Sequence, residues 1–93
     1  MSEHYQPNPS VIETELPGEL ILLDPETQEM FSLNESGRAV WRAIPGRSIG
    51  EVAELLSAEY EVEAEAAEAD VRGLVARLTG AGLLRVAAAR DDG

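Results

Sequence analysis

The sequence predicts an α+β domain in which a three-stranded antiparallel sheet is followed by three helices. Turn signals separate three runs of strand-forming residues in the first part of the chain. Three helical patterns follow, each with apolar residues spaced three and four positions apart. Prolines and glycines lie between these segments, so each element is predicted to be short.

The three predicted strands precede the helices. Residues 11–16 alternate loosely between apolar and polar, and Pro17-Gly18 signals a turn. Residues 19–24 are apolar on both faces, which is typical of a central strand covered on both sides. A second turn at 25–28 leads to the third strand at 29–33. Such short connections imply an antiparallel meander with the first and third strands at its edges.

The helices are predicted from their caps and their apolar faces. Asn34 or Ser36 has the capping chemistry that opens the first helix. Ser48 and Glu51 have the spacing of a capping box, which opens the second helix, and the third starts around Ala64. The residues predicted to be buried are Gly37, Val40, Trp41 and Ile44 in the first helix, Ile49, Val52, Ala53, Leu56 and Tyr60 in the second, and Ala67, Val71, Leu74, Val75 and Leu78 in the third.

We predict one domain over residues 10–86 of the 93-residue chain, with Leu83-Leu84 folding back to cover its base. Residues 1–9 and 87–93 are predicted to be a mobile N-terminus and a mobile C-terminal tail. The first fifteen residues lack the basic start and apolar run of a signal peptide, and no apolar run is long enough to span a bilayer. The absence of cysteine is consistent with the cytoplasmic location that we expect.

The charge and residue inventory exclude several functions. The chain has 18 acidic residues, seven arginines, no lysine and a formal net charge of −11. Nucleic acids and anionic membranes are bound by clustered cations, so neither is predicted as a partner. A single histidine, His4, and no cysteine leave no Ser/His/Asp or Cys/His set and no thiolate metal site. We therefore predict a protein that is not an enzyme and that holds no cofactor and no metal.

The order of elements resembles a winged helix-turn-helix, in which the third helix reads DNA bases. Between Ser48 and Val71, however, the chain has eight acidic residues and no basic one. This surface would repel phosphates. An acidic winged-helix homodimer or a transcription regulator remains an alternative from a different functional class.

The third predicted strand, 29–33, offers an unprotected edge. No further strand is predicted after it, and it carries neither lysine nor proline. An extended peptide would add to such an edge by β-augmentation. The alternatives are that the third helix covers the edge or that two copies of the chain pair through it.

Several short motifs, taken in order, resemble the PqqD-like family. They are Leu33-Asn34-Glu35-Ser36-Gly37 with Trp41, Ala53-Glu54-Leu55-Leu56 with Glu59-Tyr60, Asp70-Val71 with Leu74, and Gly82-Leu83-Leu84. The resemblance covers about residues 10–86. Members of this family are stand-alone recognition elements for ribosomally made, post-translationally modified peptides.

The resemblance implies that the leader of a precursor peptide adds antiparallel to the third strand, in a cleft beside the third helix. The implied strand wall is Glu29, Met30, Phe31, Ser32 and Leu33, and the implied helix wall is Ala67, Asp70, Val71 and Leu74. Leu33 is better explained as a core residue, and Leu74 is equally well explained as one.

Within the family, the sequence that leads from the third strand into the first helix and the lysine-free composition resemble those of the leader-binding proteins of lasso-peptide pathways. This branch implies a leader with a Tyr-x-x-Pro element and a separate leader peptidase, or another processing enzyme, as partners. The alternative branch is the chaperone that presents the precursor of pyrroloquinoline quinone to a radical enzyme.

Overall fold

The structure is a computed structural model that describes residues 3–87. Within that range the elements, in chain order, are β1 (His4–Pro7), β2 (Ile12–Leu16), β3 (Glu19–Asp24), β4 (Glu29–Leu33), α1 (Glu35–Ala43), β5 (Arg47–Ser48), α2 (Ile49–Tyr60), α3 (Ala64–Gly80) and β6 (Leu84–Ala87). The predicted α+β class is confirmed, with a three-stranded antiparallel meander followed by three helices.

The meander has the strand order β2-β3-β4, so β3 is central, as predicted. Leu22 lies opposite Glu13 on one side and Phe31 on the other, which fixes the register of all three strands. Leu20 and Leu22 are fully buried, whereas Ile21 and Leu23 on the opposite face are only half-buried. The prediction that β3 is covered on both faces is therefore wrong, because the helices pack on one face of this sheet only.

Side-chain caps start the first two helices, as the sequence predicts. Asn34 Oδ1 accepts a hydrogen bond from the Gly37 amide at 2.8 Å and opens α1. Ser48 and Glu51 form a complete capping box at the start of α2. Gly37 also allows the end of β4 to pack closely on α1, since a Cβ at this position would lie 3.2 Å from Leu33 Cβ.

The core lies between the inner face of the meander and the three helices. The predicted buried face of α1 and that of α3 are confirmed. In α2 the prediction fails at its two ends, because Ile49 is half-buried and the side chain of Tyr60 is 44% exposed. Leu83 and Leu84 are buried and close the base of the domain, as predicted.

A second small sheet, which the sequence analysis did not predict, has the order β5-β1-β6. His4 of β1 lies opposite both Ser48 and Ala87, so β1 joins the start of α2 to the end of the described chain. This strand falls within the segment predicted to be mobile. Pro7 occupies the last position of β1, beyond the two residues that pair with β5, so one side of the strand has no partner there and proline is tolerated as on an edge.

The predicted domain bounds and the mobility of both termini stay predictions. Of the predicted C-terminal tail, Ala87 lies in β6, and residues 88–93 lie outside the described residues. Over the described range, none of the helices combines the length and apolar character needed to cross a membrane.

Candidate functional site

A cleft of about 620 Å³ lies between the edge of β4 and the face of α3. Its lining is mixed, with an apolar floor and polar groups at the rim. The lining residues are Pro17, Gly18, Glu19, Phe31, Ser32, Leu33, Asn34, Ser36, Gly37, Val40, Leu56, Tyr60, Val62, Ala67, Asp70, Leu74 and Arg77.

One wall of the cleft is the edge of β4. In the described part of the chain, β4 pairs only with β3, so the backbone groups along its other side have no strand partner. Phe31 and Leu33 face the helices, as the register requires, and Ser32 Oγ donates a hydrogen bond to Glu19 Oε1 at 2.8 Å. This wall therefore combines free backbone donors and acceptors with an apolar inner side.

Two residues of the predicted strand wall lie on β4 but outside the lining of the cleft. Met30 points to the opposite face of the sheet, where its side chain is 67% exposed. Glu29 is exposed at the start of the strand. Phe31, Ser32 and Leu33 therefore border the cleft, whereas Glu29 and Met30 do not line it. Because they are adjacent in β4, only one of Glu29 and Met30 directs its backbone N–H and C=O groups towards the open side.

The other wall is one face of α3. Ala67, Asp70 and Leu74 line the cleft, as predicted. Val71 has no exposed surface and belongs to the core. It follows Asp70 by one residue, a rotation of about 100° around the helix, which turns its side chain behind the wall. Contact of the predicted wall residues with a ligand stays a proposal, and Val71 has no surface to offer.

Several residues that line the cleft were not predicted from the sequence. Tyr60 and Val62 border the cleft from the end of α2 and the following turn, and both are more than 40% exposed. Arg77 extends the α3 wall at its C-terminal end. The spacing of Arg77 could have predicted its place in the lining, because it lies three residues after Leu74 and seven after Asp70, on the same face of the helix.

Two contacts define how β4 runs relative to α3 along the cleft. The guanidinium carbon of Arg77 lies 5.9 Å from the centroid of the Phe31 ring, within cation–π range. Glu29 pairs with Asp24, whose carboxylate faces the Gly82 turn that follows α3. From Glu29 to Leu33, β4 therefore runs from the C-terminal end of α3 towards its N-terminal end.

The chemistry of the cleft is suited to binding. No histidine lines it, and across residues 3–87 no cluster of three or more His, Asp or Glu side chains is placed to hold a metal ion.

The two groups with shifted pKa values, Tyr5 and Glu51, lie outside the cleft. Burial, together with the acceptor Glu3, raises the pKa of Tyr5, and the Ser48 backbone amide lowers the pKa of Glu51. An open strand edge beside an apolar floor matches the requirements of an extended peptide.

The family described as coenzyme PQQ synthesis protein D (PqqD) matches residues 19–84, more than half of the chain. The chain belongs to the PqqD family. The matched range contains both walls of the cleft, from β3 through α3.

Two solved structures are similar in both fold and sequence to this member of the PqqD family. One is a lasso peptide synthetase B1 complexed with the leader peptide, with 29% identity and a TM-score of 0.78 over 88% of this chain and 98% of that chain. The other is TbiB1 in complex with the TbiA(β) leader peptide, with 26% identity and a TM-score of 0.77 over 86% of this chain and 94% of that chain. No curated protein matches the sequence.

Proposed function

We propose that this PqqD-family protein is a non-catalytic module that binds the leader of a precursor peptide in lasso-peptide biosynthesis. The observation that carries the proposal is the open edge of β4 beside an apolar cleft. Both similar solved structures are complexes with leader peptides, which supports the same use of this site. The bound leader adds antiparallel to β4, with its N-terminal part beside Leu33 and its C-terminal part beside Glu29.

The backbone supplies a large part of the affinity. Alternate residues of β4 direct their N–H and C=O groups towards the open side, and an added strand completes these pairs. Four to six such hydrogen bonds contribute about 0.5–1.5 kcal/mol each. They are independent of the side chains of the leader, so they hold the peptide without selecting its sequence.

The cleft supplies the selection. Its volume of about 620 Å³ has room for one or two large side chains that an added strand would direct towards α3. Leu33, Ala67 and Leu74 form an apolar floor with little exposed surface of their own. A tyrosine and a proline, as in the Tyr-x-x-Pro element, would bury apolar area there, worth about 25 cal/mol per Å².

In this proposal, binding of the leader presents the following segment of the precursor peptide to a partner enzyme. Because the leader runs towards Glu29 and the end of α3, the segment that follows the leader leaves the cleft at that end. We place the partner there, a leader peptidase or other processing enzyme that acts on the presented segment. The protein itself performs no chemistry in this proposal, and the absence of cysteine agrees with a cytoplasmic site of action.

A second candidate is the chaperone role in which the precursor of pyrroloquinoline quinone is presented to a radical enzyme. The description of the matching family favours it. The mode of binding is the same in both cases, and only the leader and the partner enzyme differ.

Fluorescence-polarisation titration with labelled leaders tests the proposal. The three probes are a leader with Tyr-x-x-Pro, the same leader with both residues changed to alanine, and a leader from a quinone-cofactor precursor. Submicromolar binding that the alanine pair abolishes is the expected result. Binding of the third probe alone would move the protein to the second candidate, and binding of none would overturn both.

A further inference from the structure

Arg77 is a cation placed in the cleft without a carboxylate partner. Among the residues that the structure describes, Arg38 and Arg42 pair with Glu15, and Arg72 pairs with Glu68. Arg47 and Arg85 also have no ion pair within residues 3–87, but neither lines the cleft. No carboxylate within residues 3–87 forms an ion pair with Arg77, which is exposed and lies over the Phe31 ring. In a chain with a net charge of −11, an unpaired arginine inside a binding cleft calls for an explanation.

The charges around the cleft are separated along its length. Glu19 and Asp70 line it together with Tyr60 and Val62, towards the end of β4 that carries Leu33. Arg77 lies at the other end of the lining, two helical turns after Asp70, a distance of roughly 10 Å along the axis. Glu29 lies at the same end of β4 as Arg77 but outside the lining, so within the lining a peptide strand passes from two carboxylates to one guanidinium.

We propose that Arg77 selects an acidic side chain in the C-terminal half of the bound peptide, and that the Asp70–Arg77 separation fixes the direction and register of strand addition. The inference rests on the proposed function, because it requires a peptide strand beside β4. Only every second residue of that strand faces α3, so the acidic residue must occupy a position of that parity. The planar guanidinium, held over Phe31, presents its N–H groups to a carboxylate in a bidentate arrangement.

The same separation explains discrimination against a reversed peptide. If the strand were added in the opposite direction, its acidic residue would lie beside Asp70 and Glu19, where like charges repel. Backbone hydrogen bonds form in either direction, so they do not distinguish the two. The charge pattern supplies a preference that the strand edge lacks.

A position scan tests the role of Arg77. The probe is the synthetic Tyr-x-x-Pro leader, with Glu, Gln or Arg placed in turn at each of the ten positions after the tyrosine except the proline, and Kd is measured by fluorescence polarisation. With the wild-type protein, Glu should bind about tenfold tighter than Gln at one position, and Arg should bind more weakly than Gln there. Neighbouring positions, whose side chains face away from α3, should show no such order.

Two protein variants separate charge recognition from a merely structural role. R77Q should remove the preference for Glu, and R77E should reverse it, so that the Arg peptide binds R77E better than the Glu peptide does. Such a rescue by exchanged charges does not follow from a loss of folding. R72Q is the matched control, because Arg72 lies on the same helix and pairs with Glu68 outside the cleft. It should leave the preference intact.

The outcomes are distinguishable from those of the proposed function. If the leader binds but the wild-type protein prefers Glu at no position, or R77Q keeps the preference, the inference about Arg77 is overturned and the leader-binding function stands. If no peptide of the scan binds at all, the proposed function fails and the inference fails with it.

Discussion

Glu51 shows how a single local contact shifts a pKa and ties stability to pH. The Ser48 backbone amide donates a hydrogen bond to Glu51 Oε1 at 2.9 Å, and Ser48 Oγ accepts one from the Glu51 amide at 3.2 Å. The first of these bonds favours the ionised carboxylate and lowers its pKa. A carboxyl group whose pKa is lower in the folded state stabilises that state above its unfolded pKa, and the effect is lost as the pH falls through the folded value.

The variants S48A and E51Q should therefore respond differently to pH. S48A removes the cap of α2 and should lower the free energy of unfolding by about 1 kcal/mol at neutral pH. E51Q should be less stable than wild type at pH 7, and the difference should shrink as the pH falls through the lowered pKa of Glu51 in the folded state, where the carboxyl group becomes uncharged like the amide. Urea unfolding at several pH values measures both effects. A gap between E51Q and wild type that does not change with pH would contradict the assigned pKa shift.

Tyr60 is the residue on which a side-chain contribution to binding is easiest to isolate. It borders the cleft with 44% of its side chain exposed, so Y60A should change the stability little and weaken leader binding by about three- to tenfold through lost apolar contact. Leu55, equally exposed on the same helix but outside the cleft, supplies the control variant L55A. Equal losses in Y60A and L55A, measured by polarisation titration with the Tyr-x-x-Pro leader, would mean that Tyr60 is not a contact.

For single residues, the sequence predicts local features such as helix caps more reliably than the direction in which a side chain points. The caps at Asn34 and Ser48 are local chemistry and were predicted correctly. Val71 was predicted both in the buried face of α3 and, from the family resemblance, in the helix wall, and the structure places its side chain in the core. Arg77 was missed because a charged residue near the end of a helix is commonly explained by the helix dipole alone.

At the scale of the element, the edge of β4 carries the proposed binding, and proline tests it directly. The N–H groups of Met30 and Ser32 point to one side of the strand and that of Phe31 to the other. Prolines on the open side should fold normally and abolish leader binding, whereas prolines on the side of β3 should break the ladder and destabilise the domain.

The comparison of M30P, F31P and S32P has a built-in control. Met30 and Ser32 share one parity, so their variants must behave alike in both circular-dichroism melting and polarisation titration. If all three fold and bind as wild type does, strand addition at this edge is wrong. Methylation of single amide nitrogens in the leader offers the converse experiment, with losses expected at alternate peptide positions.

The elements also show where sequence reasoning reaches its limit. The meander β2-β3-β4 is joined by short turns, so Pro17-Gly18 and local alternation were enough to predict it. The sheet β5-β1-β6 is not encoded locally, because His4 pairs with Ser48 in the middle of the chain and with Ala87 near its C-terminal end. None of these three strands exceeds four residues, so none carries a pattern of its own.

At the scale of the whole molecule, the competing use of the β4 edge is pairing with a second copy. Two edges meeting around Phe31 would satisfy the same backbone groups as a leader does. They would also bring together two chains that each carry a net charge of −11, with Glu29 on each edge and Asp70 beside it. Like charges this close repel, and salt at physiological concentration screens them only beyond about 8 Å.

We therefore expect the free protein to be a monomer and the complex with the leader to contain one copy of each chain. Size-exclusion chromatography with light scattering at micromolar concentration should give a mass near 10.0 kDa at low and at physiological salt. The effect of the leader on the measured mass is more informative than the mass of the free protein alone. A free protein of twice that mass which the leader converts to a one-to-one complex would show that two copies share the edge with the peptide. Leader affinity would then fall as the protein concentration rises, whereas a monomer gives a Kd that does not depend on it.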